Sequence, residues 1–219
     1  KHAKDSVALE LAGLWYYKTG RNEDAARYFK INADEHPSSL NAAAGYVEFL
    51  MYAEDWEALS QEGRKAFEKF PKETAFLEMA SVGDYNLKRY EDVLQICEKV
   101  LEVAPNDSSS TLRAWSTMGD IYHTLGDAKK SYKAYDKALK VNPDYVYVLN
   151  NYAYFLSLMD RDLDKALKMA ERAVELQPMN ASYIDTKAWV LHRLGRNEEA
   201  KQVMRQALSL SSLQDASLL

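Results

Sequence analysis

Apolar side chains recur every three or four residues over most of the chain, which is the spacing of one face of an α-helix. Between Leu112 and Pro143 this pattern is interrupted at Gly126-Asp127. A glycine followed by a polar residue is typical of a turn, so this segment is predicted to form two amphipathic helices joined as a hairpin. Only eight glycines and five prolines punctuate the chain, which favours long helices and short turns throughout.

The prolines divide the chain into units of similar length. Pro37, Pro71 and Pro105 are 34 residues apart, Pro143 follows after 38 residues and Pro178 after 35. Proline lacks an amide hydrogen and keeps the preceding residue out of the helical conformation, so a recurring proline ends one helix in every unit. The sequence therefore predicts a repeated helix-turn-helix unit.

This unit resembles the tetratricopeptide repeat (TPR) family, whose 34-residue units carry small residues where two helices cross. The residues at those positions in the two helices of the unit are Gly13, Gly119, Ala153 and Ala188, and Ala25, Ala166 and Ala200. The resemblance implies an all-α fold, an α-α superhelix in which about six repeats form one right-handed solenoid over residues 1–219. The predicted repeats are 6–39, 40–73, 74–107, 112–145, 146–180 and 181–212, and residues 213–219 are predicted to be a tail or a partial cap.

The second and third units depart from the family pattern. Val47 and Ser81 replace the small residue of the first helix, Leu59 and Val93 replace that of the second, and Gly63 stands at a usual aromatic position. These residues predict helix pairs that are splayed or displaced.

The segment between Pro105 and Leu112, residues 106–111, is four residues longer than its equivalents. It is predicted to be either a loop that ends in an N-capping hydroxyl, or a modification site or hinge.

Charge and composition narrow the function further. The net charge is −5, from 28 basic and 33 acidic residues, so the chain lacks the positive surface that a phosphate backbone requires. No apolar run reaches the length of a membrane span, so we expect neither nucleic acid nor membrane insertion. The single cysteine, Cys97, lies on an apolar stripe and is predicted to fill the core. The chain begins at Lys1 and not at a methionine, which predicts a fragment or a mature form.

The resemblance also implies where a partner binds, because the first helices of TPR units line a concave face. The candidate partner-binding residues on that face are Tyr17, Glu48, Tyr52, Glu78, Tyr85, Asp120, His123, Tyr147, Asn150, Asn151, Tyr154, Asp185 and Trp189. Aromatic rings recur in this set, and with Glu10 a carboxylate stands in five of six units. These residues predict that the partner presents a neutral or basic segment with apolar anchors. The two asparagines are expected to bind the backbone of that segment. The alternative is that individual tyrosines pack between neighbouring repeats.

Other chemistry is not indicated by the sequence. The paired lysines, asparagines and arginines of the TPR clamp for chaperone tails are missing, which argues against that ligand. No phosphate-binding glycine loop or nucleophile elbow occurs, and the four histidines are too scattered for a metal motif. We therefore expect a protein that is not an enzyme and needs neither a cofactor nor a metal.

The leading hypothesis is a non-enzymatic interaction module that binds a peptide or partner protein in the concave groove. The alternative is an assembly scaffold, a homo-oligomer that associates through the open ends of the solenoid. Residues 149–154 and 183–191 also resemble the C-terminal repeats of large bacterial TPR proteins, many of them in the cell envelope. This resemblance favours a bacterial source and a periplasmic or envelope location over the cytoplasm.

Overall fold

The computed structural model describes residues 5–216, and the side chains of residues 5–210. Twelve α-helices and no strand occur in this range, which confirms the all-α fold class. The helices are α1 (Ser6–Lys18), α2 (Asn22–Glu35), α3 (Leu40–Tyr52), α4 (Trp56–Lys69), α5 (Ala75–Asn86), α6 (Tyr90–Val103), α7 (Ser108–Thr124), α8 (Ala128–Val141), α9 (Val146–Leu158), α10 (Leu163–Leu176), α11 (Ala181–Arg193) and α12 (Asn197–Ala216). Residues 217–219 of the predicted tail lie outside the described residues.

The chain divides into two compact units. Unit 1 ends at Ala114 and contains α1 to α6 with the first part of α7, and unit 2 begins at Trp115 and contains the remainder. Odd-numbered helices are the first helices of the hairpins, and even-numbered helices are the second helices. Within each unit, consecutive helices pack against each other and bury an apolar core.

Each hairpin turns at a residue with positive φ. These six residues are Gly20, Glu54, Lys88, Gly126, Asp160 and Gly195, spaced 34 to 38 residues apart. The left-handed conformation ends the first helix because it turns the following amide back toward the last carbonyl groups. At the first turn, for example, the amides of Gly20 and Arg21 donate to the carbonyl oxygens of Tyr17 and Tyr16. The sequence period is therefore visible in the backbone itself.

The prediction of a loop over residues 106–111 is wrong for residues 108–111. Residues from Ser108 onward form an additional first turn of α7, which makes this helix 17 residues long. The cap is a carboxylate and not a hydroxyl, because Asp107 accepts from the Ser109 amide at 3.0 Å and from the Ser110 hydroxyl at 2.7 Å. These hydrogen bonds lower the pKa of Asp107.

Small residues fix the helix crossings, as the sequence predicts for the regular repeats. A Cβ atom at Gly119 would collide with the ring of Tyr135, a side chain that is fully buried between hairpins. Gly13 meets the ring of Phe29 in the same way, at 2.9 Å. The glycine therefore makes room for an aromatic ring of the second helix against the backbone of the first.

In unit 1 two glycines lie at the crossing of α4 and α5, the second helix of one hairpin and the first helix of the next. A Cβ atom at Gly83 would lie 2.6 Å from the Trp56 carbonyl oxygen, and one at Gly63 would lie 2.8 Å from that of Phe76. Unit 1 therefore has small residues at the crossing of α4 and α5, and not at the positions where the family carries them. Beside it, the buried carboxylate of Asp84 accepts from Ser60 at 2.7 Å.

We expect Gly83→Ala to destabilise the protein by about 1 to 3 kcal/mol, because the added methyl group meets backbone atoms of α4 that cannot rotate away. Gly45→Ala is the matched control within α3, where the nearest atom to a new Cβ is 3.8 Å away. That substitution should be neutral or stabilise by up to about 1 kcal/mol through helix propensity. Urea unfolding of both variants measures the difference, and equal midpoints would contradict the close crossing.

Candidate functional site

The exposed and half-buried side chains of the first helices form what we call the first-helix face of each unit. In unit 2 this face is organised around Asp120 of α7. Its Oδ2 accepts a hydrogen bond from the Tyr147 hydroxyl at 2.8 Å, and its Oδ1 accepts from the Tyr135 hydroxyl and from Asn151 Nδ2 at 3.3 Å. One carboxylate thus joins three helices, α7, α8 and α9.

The charge of Asp120 determines how the neighbouring amides are oriented. A carboxylate can only accept, so Asn151 directs its amide nitrogen toward Asp120 and its oxygen away. That oxygen accepts from Asn150 Nδ2 at 3.2 Å. The Asn150 oxygen is buried and has no hydrogen-bond partner in the part of the chain that the structure describes. Desolvation raises the pKa of Asp120, and the three hydrogen bonds oppose this effect.

Aromatic rings also lie on the first helices of unit 2. The His123 ring stacks on Phe155 with 3.5 Å between ring centroids, and desolvation lowers the pKa of this histidine. Tyr154 is exposed. Trp189 of α11 contacts the His192 ring. The Arg193 guanidinium lies over the Trp189 ring, 5.7 Å from the ring centroid. The first-helix face of unit 2 therefore carries several aromatic rings in addition to the two asparagines.

The first-helix face of unit 1 carries three of the predicted tyrosines. The three tyrosines Tyr17, Tyr52 and Tyr85 have 37%, 62% and 50% of their surface exposed. Tyr17 touches Phe49 edge-on, with ring centroids 5.9 Å apart, and lies 6.4 Å from the ring of Tyr52. Packing between neighbouring hairpins therefore covers part of the Tyr17 ring and leaves most of Tyr52 in solvent.

The five carboxylates predicted to attract a basic ligand fall into two groups. Glu78 binds the Arg113 guanidinium through two oxygens, at 2.8 and 2.9 Å, and Asp120 is held by the contacts described above. The other three are exposed and form no ion pair among the described residues: Glu10, Glu48 and Asp185. Of the five predicted carboxylates, only these three are therefore available for an ion pair with a partner.

Two participants were not among the residues predicted from the sequence as binding residues. Tyr135 lies on α8, a second helix, and its hydroxyl group donates to Asp120. Arg113 of α7 pairs with Glu78 of α5. The signal for that pair was present in the sequence, since the two residues lie 35 positions apart on neighbouring first helices.

Residues 5–210 contain no group of three histidine, cysteine, aspartate or glutamate side chains that could hold a metal ion. Among the helices described, none combines the length and apolar character needed to cross a bilayer.

Comparison with known proteins finds repeat sequences in the second half of the chain. Sequence models of the tetratricopeptide repeat match residues 112–145 and 181–212, and a second such model matches 134–168. The curated relative Superkiller protein 3 of Schizosaccharomyces pombe is 24% identical over 161 residues, which cover 69% of this chain and 11% of that protein. The chain thus spans about a tenth of the length of this relative.

Solved structures resemble the fold at low identity. PilF of Pseudomonas aeruginosa is 20% identical with a TM-score of 0.69, covering 97% of this chain and 93% of that chain. YrrB, described as a TPR protein with an unusual peptide-binding site, is 16% identical with a TM-score of 0.63, covering 89% of this chain and 100% of that one. These similarities concern the fold alone.

We expect Asp120→Asn to destabilise the protein by about 1 to 3 kcal/mol, because the new amide nitrogen faces groups that donate to the carboxylate. Asp185→Asn is the matched control on the same face, since this carboxylate is exposed, and it should change the stability by less than about 0.5 kcal/mol. Chemical denaturation of both variants at neutral pH tests the difference. Equal stabilities would show that Asp120 does not organise the site.

Proposed function

Because the chain is a tetratricopeptide repeat protein, we propose that the first-helix faces of its units bind a peptide segment of a partner protein. The TPR fold is that of a protein-interaction repeat module. The observation that carries the finer proposal is the exposure of Tyr52 and Tyr85, at 62% and 50%. Half-exposed tyrosines offer a large contact area and a polar tip at a small cost in side-chain entropy, as at many binding surfaces.

The charge of the free groups supports a neutral or basic partner. Glu48 in unit 1 and Asp185 in unit 2 are exposed and unpaired within the described part of the chain, whereas Glu78 is neutralised by Arg113. A lysine or arginine of the partner can therefore pair with Glu48 or Asp185 at little cost. Such exposed pairs contribute mainly to the association rate and to specificity.

The amides of unit 2 support binding through the partner's backbone. Asn150 and Asn151 each use one amide proton within the network, so each retains a second proton for a carbonyl oxygen of a ligand. Asp120 holds these amides in one orientation, which reduces the entropy lost on binding. YrrB, whose fold is similar, is described as having an unusual peptide-binding site, which supports the same use of this fold. The proposed role is non-enzymatic.

A comparative capture experiment tests the proposed face. The wild-type chain and the double variant Tyr52→Ala/Tyr85→Ala are immobilised, and bound proteins from the native organism are quantified. We expect the variant to lose at least about tenfold of the specific partner, as hot-spot aromatics do when truncated. The control Val103→Ala/Val141→Ala truncates exposed apolar side chains on second helices, which are 39% and 37% exposed, and should retain the partner. Equal capture by the tyrosine variant would contradict the proposal.

The charge preference is tested on the captured partner. Glu48→Gln/Asp185→Asn should weaken binding by about two- to tenfold at low salt and reduce its salt dependence, because two attractive charges are lost. Glu68→Gln/Asp164→Asn makes the same change in net charge on α4 and α10, where both residues are exposed, and should leave the affinity unchanged. Binding that responds equally to both variants, or to neither, would contradict the electrostatic part of the proposal.

A further inference from the structure

The solvent-facing side of α8 in unit 2 is densely basic. Four lysines follow each other at intervals of four, four and three residues and a fifth adjoins them, so that all lie on one side of the helix. We call this surface the lysine face: Lys129, Lys130, Lys133, Lys137 and Lys140. Lys137 is half-buried, and the other four side chains are exposed. A strongly positive surface therefore occurs on a chain whose net charge is −5.

The acidic groups beside the lysine face do not neutralise it. Asp136, the only acidic residue of α8, accepts a hydrogen bond from Lys165 of α10 at 3.1 Å. Asp127 pairs with Lys130, with 3.0 Å between their charged atoms. Within residues 5–210 the remaining lysines of the face form no ion pair: Lys129, Lys133, Lys137 and Lys140. These four charges are therefore available to a partner.

The same charge pattern opposes the stability of α8. The amides at the start of a helix carry a partial positive charge, which favours acidic residues in the first turn. The five other second helices have one or two acidic residues there, whereas α8 has none and begins with Ala128, Lys129 and Lys130. Lysines four residues apart also repel each other along the helix. Because local arrangements that cost stability are expected at functional sites, the lysine face has the character of a binding surface.

The length of the lysine face indicates the size of the group that binds it. Lys129 and Lys140 are eleven residues apart, which is about 16 Å along a helix and equals the length of about five residues of extended chain. A longer polyanion, such as a nucleic acid or an anionic bilayer, would also meet the rest of a chain whose net charge is −5. A short anionic segment would meet the lysines alone.

The side-chain types of the lysine face favour carboxylates over nucleotides. The Lys137 ammonium lies over the Trp115 ring, 4.0 Å from its centroid, and the Lys130 ammonium lies over the Tyr122 ring at 5.2 Å. Both rings are half-buried, whereas proteins that bind single strands use open rings on which bases stack. The face also contains no arginine, the residue whose planar fork binds phosphate through two hydrogen bonds. A short row of ammonium groups instead fits the carboxylates of an acidic peptide.

We propose that the lysine face of α8 binds a short acidic segment of a partner protein. The partner's carboxylates pair with the unpaired lysines and thereby relieve their mutual repulsion. The proposal goes beyond the peptide-binding role of the first-helix faces, because this surface lies on a second helix and selects the opposite charge. The residues that carry the proposed function, such as Tyr52, Tyr85 and Glu48, are not part of it, so either proposal can fail without the other.

Two synthetic peptides test the proposal on the wild-type protein. The acidic peptide has eight residues, in which four glutamates alternate with serines, and the neutral peptide has glutamines in place of the glutamates. Fluorescence anisotropy at low salt should show at least about tenfold tighter binding of the acidic peptide, and this preference should decrease as salt is added. Because the whole chain is negative, its net charge does not attract the acidic peptide, so such binding requires a local positive surface.

A pair of matched variants locates the binding. Lys129→Gln/Lys133→Gln/Lys140→Gln removes three charges from the lysine face and should weaken binding of the acidic peptide at least about tenfold. Lys69→Gln/Lys72→Gln/Lys88→Gln makes the same change in net charge at exposed positions of unit 1 and should retain wild-type binding. Circular dichroism checks that both variants are folded, and the comparison of the two peptides on the wild-type protein depends on neither variant.

The variant Tyr52→Ala/Tyr85→Ala separates this proposal from the proposed function. It alters the first-helix face of unit 1 and should bind the acidic peptide as the wild-type protein does. Loss of the acidic peptide in this variant would place the binding on the first-helix face and contradict the proposal.

Three further outcomes would overturn the proposal. The first is equal binding of both peptides, or of neither, by the wild-type protein. The second is an equal effect of the two lysine variants on binding of the acidic peptide. The third is tighter binding of an eight-nucleotide thymidine strand, or of phosphatidylserine vesicles, that the substitutions on the lysine face abolish, because the surface would then select phosphate groups and not an acidic protein segment.

Discussion

The structure depends on a steric constraint, which is that helices in this chain approach each other where no side chain, or only a very small one, stands between them. Gly83 admits the backbone of α4, and Gly119 admits the ring of Tyr135. Packing this close excludes water and gives dense van der Waals contact, which a repeat with little core of its own requires. Since these contacts fix each hairpin on its neighbour, they also set which side chains the first helices leave exposed.

The sequence predicts the elements well, because local patterns determine them. Apolar spacing and recurring prolines are sufficient to predict paired helices and the period at which the backbone turns. The first turn of α7 is different: the run from Ser108 to Thr111 has poor helix formers, and the carboxylate of Asp107 supplies the cap that permits a helix there. The sequence does not predict the crossing of α4 and α5, because Gly63 and Gly83 lie outside the positions at which the family carries small residues, and only the fold brings them to one crossing.

The binding surface was harder to predict than the fold, because residues of one type in one register have different roles. Glu48, Glu78 and Asp120 all stand on first helices, but only Glu48 is free. Arg113 neutralises Glu78, and Asp120 is surrounded by donors from two other helices. These pairings join residues 15 to 35 positions apart on different helices, beyond what helical periodicity can show. The sequence thus indicates which face carries charge, and the fold decides which charges remain available.

The lengthened start of α7 bears on how such a chain changes in evolution. Four additional residues amount to slightly more than one helical turn of 3.6 residues, so the side chains that follow keep nearly the same direction. An insertion of one or two residues at the same point would rotate Asp120 and its neighbours away from their partners. Hairpin arrays of this kind can therefore gain or lose whole turns at helix starts during divergence, while insertions of other lengths are confined to the segments between helices.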